Sequence, residues 1–150
     1  MSTTPILFQI LNPIMKTILK SPFHKMMSGQ IMILTFQGVK SGKTYTTPVS
    51  YSRENDNVTC FTHANWWKNF RNGADVKLRL QGQDLEGYAV AITDDLEQKI
   101  VGLQNHILAV PYDARFYGVT LDENSQPNME QVIKAAGEAV MIQISLANSQ

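Results

Sequence analysis

The sequence predicts an α+β fold in which about six strands form a small barrel with helices on its outside. Three observations support this. Strand patterns dominate from Gln30 onward, helical patterns lie near the N-terminus and in the last third of the chain, and glycine-containing turns separate neighbouring strands. The 150 residues, of which 43% are hydrophobic and 17% charged, suffice for one sizeable core and not for two. We therefore expect a single domain over residues 1–150.

The chain opens with an apolar segment, residues 1–27, that has helical spacing. Asn12-Pro13 is expected to kink or restart the helix, and Ser21-Pro22 to begin a second short helix that runs through Met27. We expect this segment to pack on the barrel; contact of a basic amphipathic helix with an anionic membrane surface is the alternative. The apolar face comprises Ile6, Leu7, Ile10, Leu11, Ile14, Met15, Ile18 and Leu19.

A strand pair follows, with Ile31–Gln37 and Thr44–Arg53 on either side of the turn Lys40-Ser41-Gly42-Lys43. Around this turn, the segment from Gly38 to Pro48 carries two lysines, two glycines and four small hydroxyl side chains. Glycine N–H groups, hydroxyls and lysine ammonium groups together are typical of an anion-binding cradle. The alternative is a solvated hairpin turn that binds nothing.

A short helix is predicted after the next strand. Asn65 can cap it, and Asn72-Gly73 can end it in the left-handed conformation that glycine tolerates. Trp66 and Trp67 point about 100° apart on a helix, so they are not both expected deep in the core. Either one of them walls a pocket, or one belongs to the core and the other is half covered.

The sequence shows neither a metal-binding pattern nor a catalytic triad or carboxylate pair. Cys60 and His63 have a ligand-like spacing, but side chains three apart on the strand Val58–Thr62 and its extension point to opposite faces. We expect Cys60 to be a buried, inert strand residue and His63 to lie on the rim of a pocket.

The second half of the chain contains a hairpin, two helices, a helical turn and a closing strand. Alternating apolar and polar residues identify the strands, and helical spacing identifies the helices. The predicted bounds are 76–80 and 85–93 for the hairpin with its turn at 81–84, about 94–106 and 129–136 for the helices, 111–117 for the helical turn and 140–146 for the strand.

The net charge of zero hides an asymmetry, because no Asp or Glu precedes Glu54. Residues 1–53 carry six basic side chains, and the remainder carries seven bases against thirteen acids. This favours an anionic ligand or surface at the N-terminal third; nucleic acid is excluded because the whole chain is neutral and has no basic cluster interleaved with aromatics. With no apolar run of membrane-spanning length and no leader pattern, the expected location is cytoplasmic, with membrane association through the N-terminal helix as the alternative.

Several motifs in order resemble the deazaflavin-dependent nitroreductase family, over roughly residues 31–146. The resemblance implies a split β-barrel of the FMN-binding, pyridoxamine-phosphate-oxidase-like type that binds the deazaflavin F420 or, in related branches, FMN. The matching motifs are Gly38-Val39-Lys40-Ser41-Gly42-Lys43, Thr46-Thr47-Pro48, Trp66-Trp67-Lys68-Asn69-Phe70-Arg71, Gly73-Ala74-Asp75-Val76, and Tyr117-Gly118-Val119 with Leu121-Asp122.

The resemblance also assigns residues to the cofactor site. Val39 and Tyr45 stand where the family pattern usually has arginine, which removes two planar, bidentate phosphate donors. Tyr45 is expected to stack on a ring or to fill space. The residues placed around the phosphate side, the ring edge and the rim of the pocket are Lys40, Ser41, Gly42, Lys43, Tyr45, Thr46, Thr47, Pro48, His63, Trp66 and Trp67.

The activity implied is hydride transfer to quinones, nitro compounds or activated alkenes, a small-molecule redox reaction in which the cofactor performs the hard step. Tyr112 and Tyr117 resemble the substrate-side tyrosines of the family, and a phenol there is expected to donate a proton or hydrogen bond. The alternative is a non-catalytic barrel that holds FMN, a lipid, haem or another amphipathic anion. The family contains monomers and dimers, so a homodimer is left open.

Overall fold

The computed structural model of the protein describes residues 30–147. The helices predicted within residues 1–27 lie outside that range. Within it, no helix is long and apolar enough to cross a membrane.

Within residues 30–147, seven antiparallel strands form one sheet with the order β2-β1-β5-β6-β7-β4-β3. Every strand predicted from the sequence is present, and the count is seven rather than about six because the predicted strand Thr44–Arg53 is divided in two. The strands are β1 (Ile31–Gln37), β2 (Thr44–Ser50), β3 (Ser52–Glu54), β4 (Asn57–Thr62), β5 (Ala74–Leu80), β6 (Gln83–Ile92) and β7 (Val140–Leu146).

The division falls at Tyr51, where the chain passes from one edge of the sheet to the other. β2 and β3 are the two edge strands, yet only Tyr51 separates them in sequence. Consecutive Cα atoms are about 3.8 Å apart, so the two edges meet within about 8 Å and the sheet must curl into a barrel. The Tyr51 N–H donates to the Gln30 carbonyl at 3.0 Å, and the Tyr51 side chain is buried.

Two hydrophobic cores lie on opposite faces of the curled sheet. Inside the barrel, Leu34, Cys60 and Ile142 belong to one buried cluster. Phe61 follows Cys60 and Met141 precedes Ile142 in sequence. These two residues face the outside, where they pack with the helices in a second cluster. The alternation of strand side chains therefore separates an interior core from a helical layer, and it buries Cys60 as expected.

The helical layer consists of α1 (Leu96–Ala109) and α2 (Met129–Glu138), with a 3₁₀ helix at Pro111–Tyr117 between them. The carboxylate of Asp95 caps α1 by accepting from the Gln98 N–H at 3.0 Å, and Asn128 caps α2 in the same way. The predicted α1 is thus confirmed, although it begins at Leu96 rather than Asp94.

The β5–β6 hairpin is confirmed with a tighter turn than expected. β6 begins at Gln83, so the turn consists only of Gln81 and Gly82. Both have positive φ, 47° and 77°, as the two central residues of a type I′ turn require. The extra pairing of Leu80 with Gln83 lengthens the ladder.

Candidate functional site

A cleft of about 780 Å³ lies between the β1–β2 turn and a 3₁₀ helix at Asn65–Phe70. We call it the Trp66 cleft. Four of the predicted site residues line it, namely Lys40, Ser41, Tyr45 and Trp66. The remaining lining residues are Phe36, Gly38, Val39, Asn65, Lys68, Asn69, Arg71, Asn72 and Gly73.

Three backbone donors of the β1–β2 turn bond within the turn itself. The Gly38 N–H donates to the Lys43 carbonyl and the Gly42 N–H to the Gly38 carbonyl, both at 2.8 Å. The Lys43 N–H donates to Ser41 Oγ at 3.1 Å. The expectation that the N–H groups of Gly38 and Gly42 cradle an anion is therefore wrong, since both hold the hairpin turn together.

Aromatic rings form one wall of the cleft. The Phe36 ring centroid lies 5.9 Å from that of Tyr45, 5.8 Å from that of Trp66 and 5.1 Å from that of Phe70. Tyr45 also covers Gly38, where an added Cβ would come within 2.8 Å of the Tyr45 ring. In this chain Tyr45 thus stacks on a protein ring and fills space, in the place where the family pattern has arginine.

The 3₁₀ helix presents its side chains with a period of three. Such a helix has three residues per turn, so side chains three apart lie in line. Trp66 therefore faces the cleft, whereas Trp67 does not line it and Phe70 is fully buried. Both tryptophans are half-buried, and Trp66 is the one that walls a pocket. The Arg71 guanidinium lies 4.9 Å from the centroid of the Trp67 ring.

The prediction that Asn65 caps this helix is wrong. The capping position is Ala64, and the helix start has no side-chain cap. The helix ends at Phe70 with Arg71 as its C-cap, just before the predicted Asn72-Gly73. The predicted left-handed conformation of Gly73 is confirmed, with φ +80°, and its N–H donates to the Phe70 carbonyl at 3.1 Å.

Among residues 30–147, three cationic side chains line the cleft, namely Lys40, Lys68 and Arg71, and none of the lining residues is acidic. Lys68 and Arg71 were not assigned to the site from the sequence. The signal that could have found them is the period of three, which places both on the same side of the helix as Asn65.

The other predicted cofactor residues lie outside the cleft. Thr46 bonds to Thr35 across the β1–β2 pair, with their hydroxyl oxygens 3.3 Å apart, and Thr47 is buried. His63 is exposed beyond the end of β4. Gly42 borders a neighbouring cleft that shares Phe36, Gly38 and Val39 with the Trp66 cleft. Lys43 is exposed on the turn itself. Pro48 is half-buried in β2, opposite Ile33.

The two predicted catalytic tyrosines lie on the second 3₁₀ helix and do not line the Trp66 cleft. Tyr117 packs in the helical layer, with its ring centroid 6.1 Å from that of Phe61 and 6.3 Å from that of His106. Burial, with the nearby Asp113 carboxylate, raises the pKa of the Tyr117 phenol. Tyr112 is exposed, with the Arg115 guanidinium 3.8 Å from its ring centroid.

A buried polar cluster that the sequence did not reveal joins the helical layer to the seam of the barrel. His106 Nε2 lies 2.8 Å from Asp113 Oδ2, and His106 Nδ1 lies 2.9 Å from Ser52 Oγ. Ser50 Oγ also donates to Asp113 Oδ2. His106 is completely buried and Asp113 is 5% exposed.

Solved structures with the same fold support the split β-barrel. The match to an F420-H2 dependent reductase includes 77% of this chain and 94% of the reductase chain, with 15% identity and a TM-score of 0.53. A putative pyridoxamine 5′-phosphate oxidase from Listeria innocua covers 92% and 94%, with 12% identity and a TM-score of 0.50. A protein described as a domain-swapped dimer covers 94% and 100%, with 12% identity and a TM-score of 0.53. These likenesses confirm the predicted fold.

Sequence comparison identifies the family. No curated protein matches the chain. The model of the F420H(2)-dependent quinone reductase family matches residues 20–120, about two thirds of the 150 residues. The match confirms the resemblance to deazaflavin-dependent reductases and, with it, F420 as the cofactor. The chain belongs to the F420H(2)-dependent quinone reductase family.

Proposed function

We propose that the protein reduces a small organic acceptor with F420H2 bound in the Trp66 cleft, and that quinones are the first acceptor class to test. Nitro compounds and activated alkenes are the other two. The observation that carries this proposal is the charge of the cleft, where three cations and no acid lie beside an aromatic wall. The family match is consistent with it.

The residues present fit the chemistry of F420, which combines a planar tricyclic ring with an anionic, phosphate-linked tail. Trp66, half-buried at the cleft, offers a face against which a ring can pack. Lys40 and Lys68 provide point charges for the tail, and Arg71 provides a planar guanidinium that can bind a phosphate with two hydrogen bonds. Arg71 thus supplies the type of donor that Val39 and Tyr45 lack.

When bound, F420H2 supplies a hydride to the acceptor. The chain's own residues bind the cofactor, orient it and exclude water, and no nucleophile or general base is required. The reduced acceptor then takes a proton, and the protonated phenol of Tyr117 is the predicted donor, with Tyr112 as the second candidate. Since neither lines the cleft, this role requires the acceptor to reach the second 3₁₀ helix.

Cofactor titration of the purified full chain tests the cleft. We expect saturable quenching of tryptophan fluorescence by F420, with binding weakened about tenfold in each of Lys40→Gln, Lys68→Gln and Arg71→Gln. Lys134→Gln, which removes an exposed lysine from α2, is the matched control and should bind as the wild type does. If the protein bound FMN and not F420, the proposed reductase would use FMN as its hydride carrier. Binding of neither would favour the non-catalytic barrel, with a lipid or haem as the ligand.

Turnover is tested by the loss of F420H2 absorbance with a simple quinone as acceptor. A lower kcat in Tyr117→Phe with unchanged F420 affinity would support the proton-donor role. Unchanged kcat would remove that role and leave the binding site as proposed.

We also propose that the protein forms a homodimer. A protein of the same fold is described as a domain-swapped dimer. Light scattering on the full chain at several concentrations distinguishes a dimer from a monomer.

A further inference from the structure

A second cleft, of about 530 Å³, lies between α1 and the outer face of β3, β4 and β7. It shares no lining residue with the Trp66 cleft. Its floor includes Ser52, Thr59 and Gln143, which are neighbours across the three strands, and its other wall includes Gln98, Val101 and Asn105 of α1. We call it the Ser52 cleft. The proposed reductase function makes no use of it.

Ser52 is one end of a hydrogen-bonded chain of three side chains from three elements. Its Oγ lies 2.9 Å from His106 Nδ1, and His106 Nε2 lies 2.8 Å from Asp113 Oδ2. A carboxylate can only accept hydrogen bonds, so Nε2 carries the imidazole proton. In the neutral imidazole, Nδ1 is then the acceptor and the Ser52 hydroxyl donates to it.

This direction of donation is the one that activates a serine. A hydroxyl bonded to a neutral imidazole, itself oriented by a buried carboxylate, loses its proton to the imidazole as it attacks. Asp113 is held in place by a second donor, Ser50 Oγ, which fixes the carboxylate toward His106.

The position of these three hydrogen-bonded side chains distinguishes a reactive arrangement from a purely structural one. A hydrogen-bonded cluster that only held the helices against the barrel could be closed to solvent at both ends. Here the carboxylate end is sealed, with Asp113 5% exposed and His106 fully buried, while the serine end is half-buried and borders the cleft. Ser52 therefore lies at the edge of a cleft that a small molecule can enter.

We propose that Ser52 is the nucleophile of an acyl-transfer site that accepts small esters or thioesters. Ser52 Oγ forms a bond to the acyl carbon, and its proton passes to His106 Nδ1. The alcohol or thiol then leaves with that proton, and water, deprotonated by the same nitrogen, releases the acid and restores Ser52. The side-chain amides of Asn105 and Gln143 line the cleft and can donate to the oxygen that becomes negative.

The test is reaction of the full chain with p-nitrophenyl acetate. We expect a burst of p-nitrophenolate and an adduct of one acetyl group, which peptide mapping places on Ser52. Ser52→Ala should lower the hydrolysis rate about 100-fold, the scale of a lost activated nucleophile or base. Ser145→Ala removes an exposed serine of β7 and should leave the rate unchanged. F420 binding should be the same in all three proteins.

Two outcomes would overturn the proposal. One is an acetyl adduct on lysines only, with Ser52 unmodified. The other is equal hydrolysis by the wild type and by folded Ser52→Ala. If thermal melting shows that Ser52→Ala does not fold, the mapped adduct of the wild type decides. Because no step uses the Trp66 cleft, a failure here leaves the proposed reductase untouched, and a failure to bind F420 leaves this site untouched.

Discussion

Asn69 Oδ1 accepts a hydrogen bond from the Val39 N–H at 2.9 Å, which joins the β1–β2 turn to the 3₁₀ helix across the Trp66 cleft. The same amide donates through Nδ2 to the Trp66 carbonyl at 3.0 Å. One side chain thus fixes the distance between the wall that carries Lys40 and the wall that carries Lys68 and Arg71.

Asn69→Ala should loosen this cleft. Loss of the bonds is expected to lower the free energy of unfolding by about 1–2 kcal/mol and to weaken F420 binding about tenfold, because the cations lose their fixed spacing. Fluorescence titration and urea unfolding measure the two effects. Asn72→Ala removes an exposed amide from the same cleft but not this bond, so its effect should be smaller. Equal effects of the two variants would contradict the role of Asn69.

Arginine substituted at Val39 and at Tyr45, where the family pattern has arginine, should have different effects: a gain in F420 affinity at Val39 and a loss of stability at Tyr45. Val39 is 72% exposed on the cleft, so Val39→Arg adds a guanidinium without removing packing, and F420 should bind about tenfold more tightly. Tyr45→Arg removes the ring that stacks on Phe36, and its stability should fall by about 1–3 kcal/mol. Val39→Gln controls for side-chain length. Similar affinities of Val39→Arg and Val39→Gln would argue against an anionic ligand here.

Gly73 and Gly42 both have positive φ, so replacing each with alanine compares how much stability an added methyl group costs at the two positions. Gly42 has φ +70° and no atom within 4 Å of an added Cβ, so Gly42→Ala should cost only about 1 kcal/mol of backbone strain. Gly73 has φ +80°, but there the Cβ would lie 2.0 Å from the Tyr88 hydroxyl oxygen. Gly73→Ala should therefore lose at least about 2 kcal/mol more, measured by urea unfolding. Equal losses would show that Tyr88 moves aside freely.

Cys60 should make stability fall at alkaline pH. Burial raises the pKa of its thiol from 9.0 to about 12. Between those pH values the folded protein keeps a thiol proton that the unfolded chain releases. The contribution of Cys60 to the free energy of unfolding is therefore fully present below about pH 9, and it falls above that pH by about 1.4 kcal/mol per pH unit. Burial also raises the pKa of Tyr51 and Tyr117, which add a similar loss above about pH 10.

Urea unfolding between about pH 8 and 10 checks this, with Cys60→Ala as the control whose slope should be flatter over the same range. In the native protein, an aromatic disulfide reagent at pH 8 should not react with Cys60, and after unfolding one thiol per chain should react. Rapid reaction in the native state, or identical slopes, would contradict the burial of this thiol.

The strands could be predicted because alternation is local, and β1 has the predicted bounds. The break at Tyr51 could not, since nothing in Thr44–Arg53 shows that the chain changes sheet edges there; that depends on closure of the whole barrel. Of the residues that line the Trp66 cleft, Lys40, Ser41, Tyr45 and Trp66 were predicted from motifs. The Ser52–His106 contact joins residues 54 positions apart in sequence, and only tertiary structure brings them together.

The place of β7 between β6 and β4 has a consequence for how the barrel is made. The pairs β1–β2, β3–β4 and β5–β6 are each local hairpins that can form as soon as they are synthesised. The sheet that joins them stays open until Val140–Leu146 has left the ribosome, with β4 and β6 each lacking one neighbour. Between the synthesis of Ile92 and that of Val140, a nascent chain therefore carries two unpaired edges, and these edges are where it is most prone to pair with another copy.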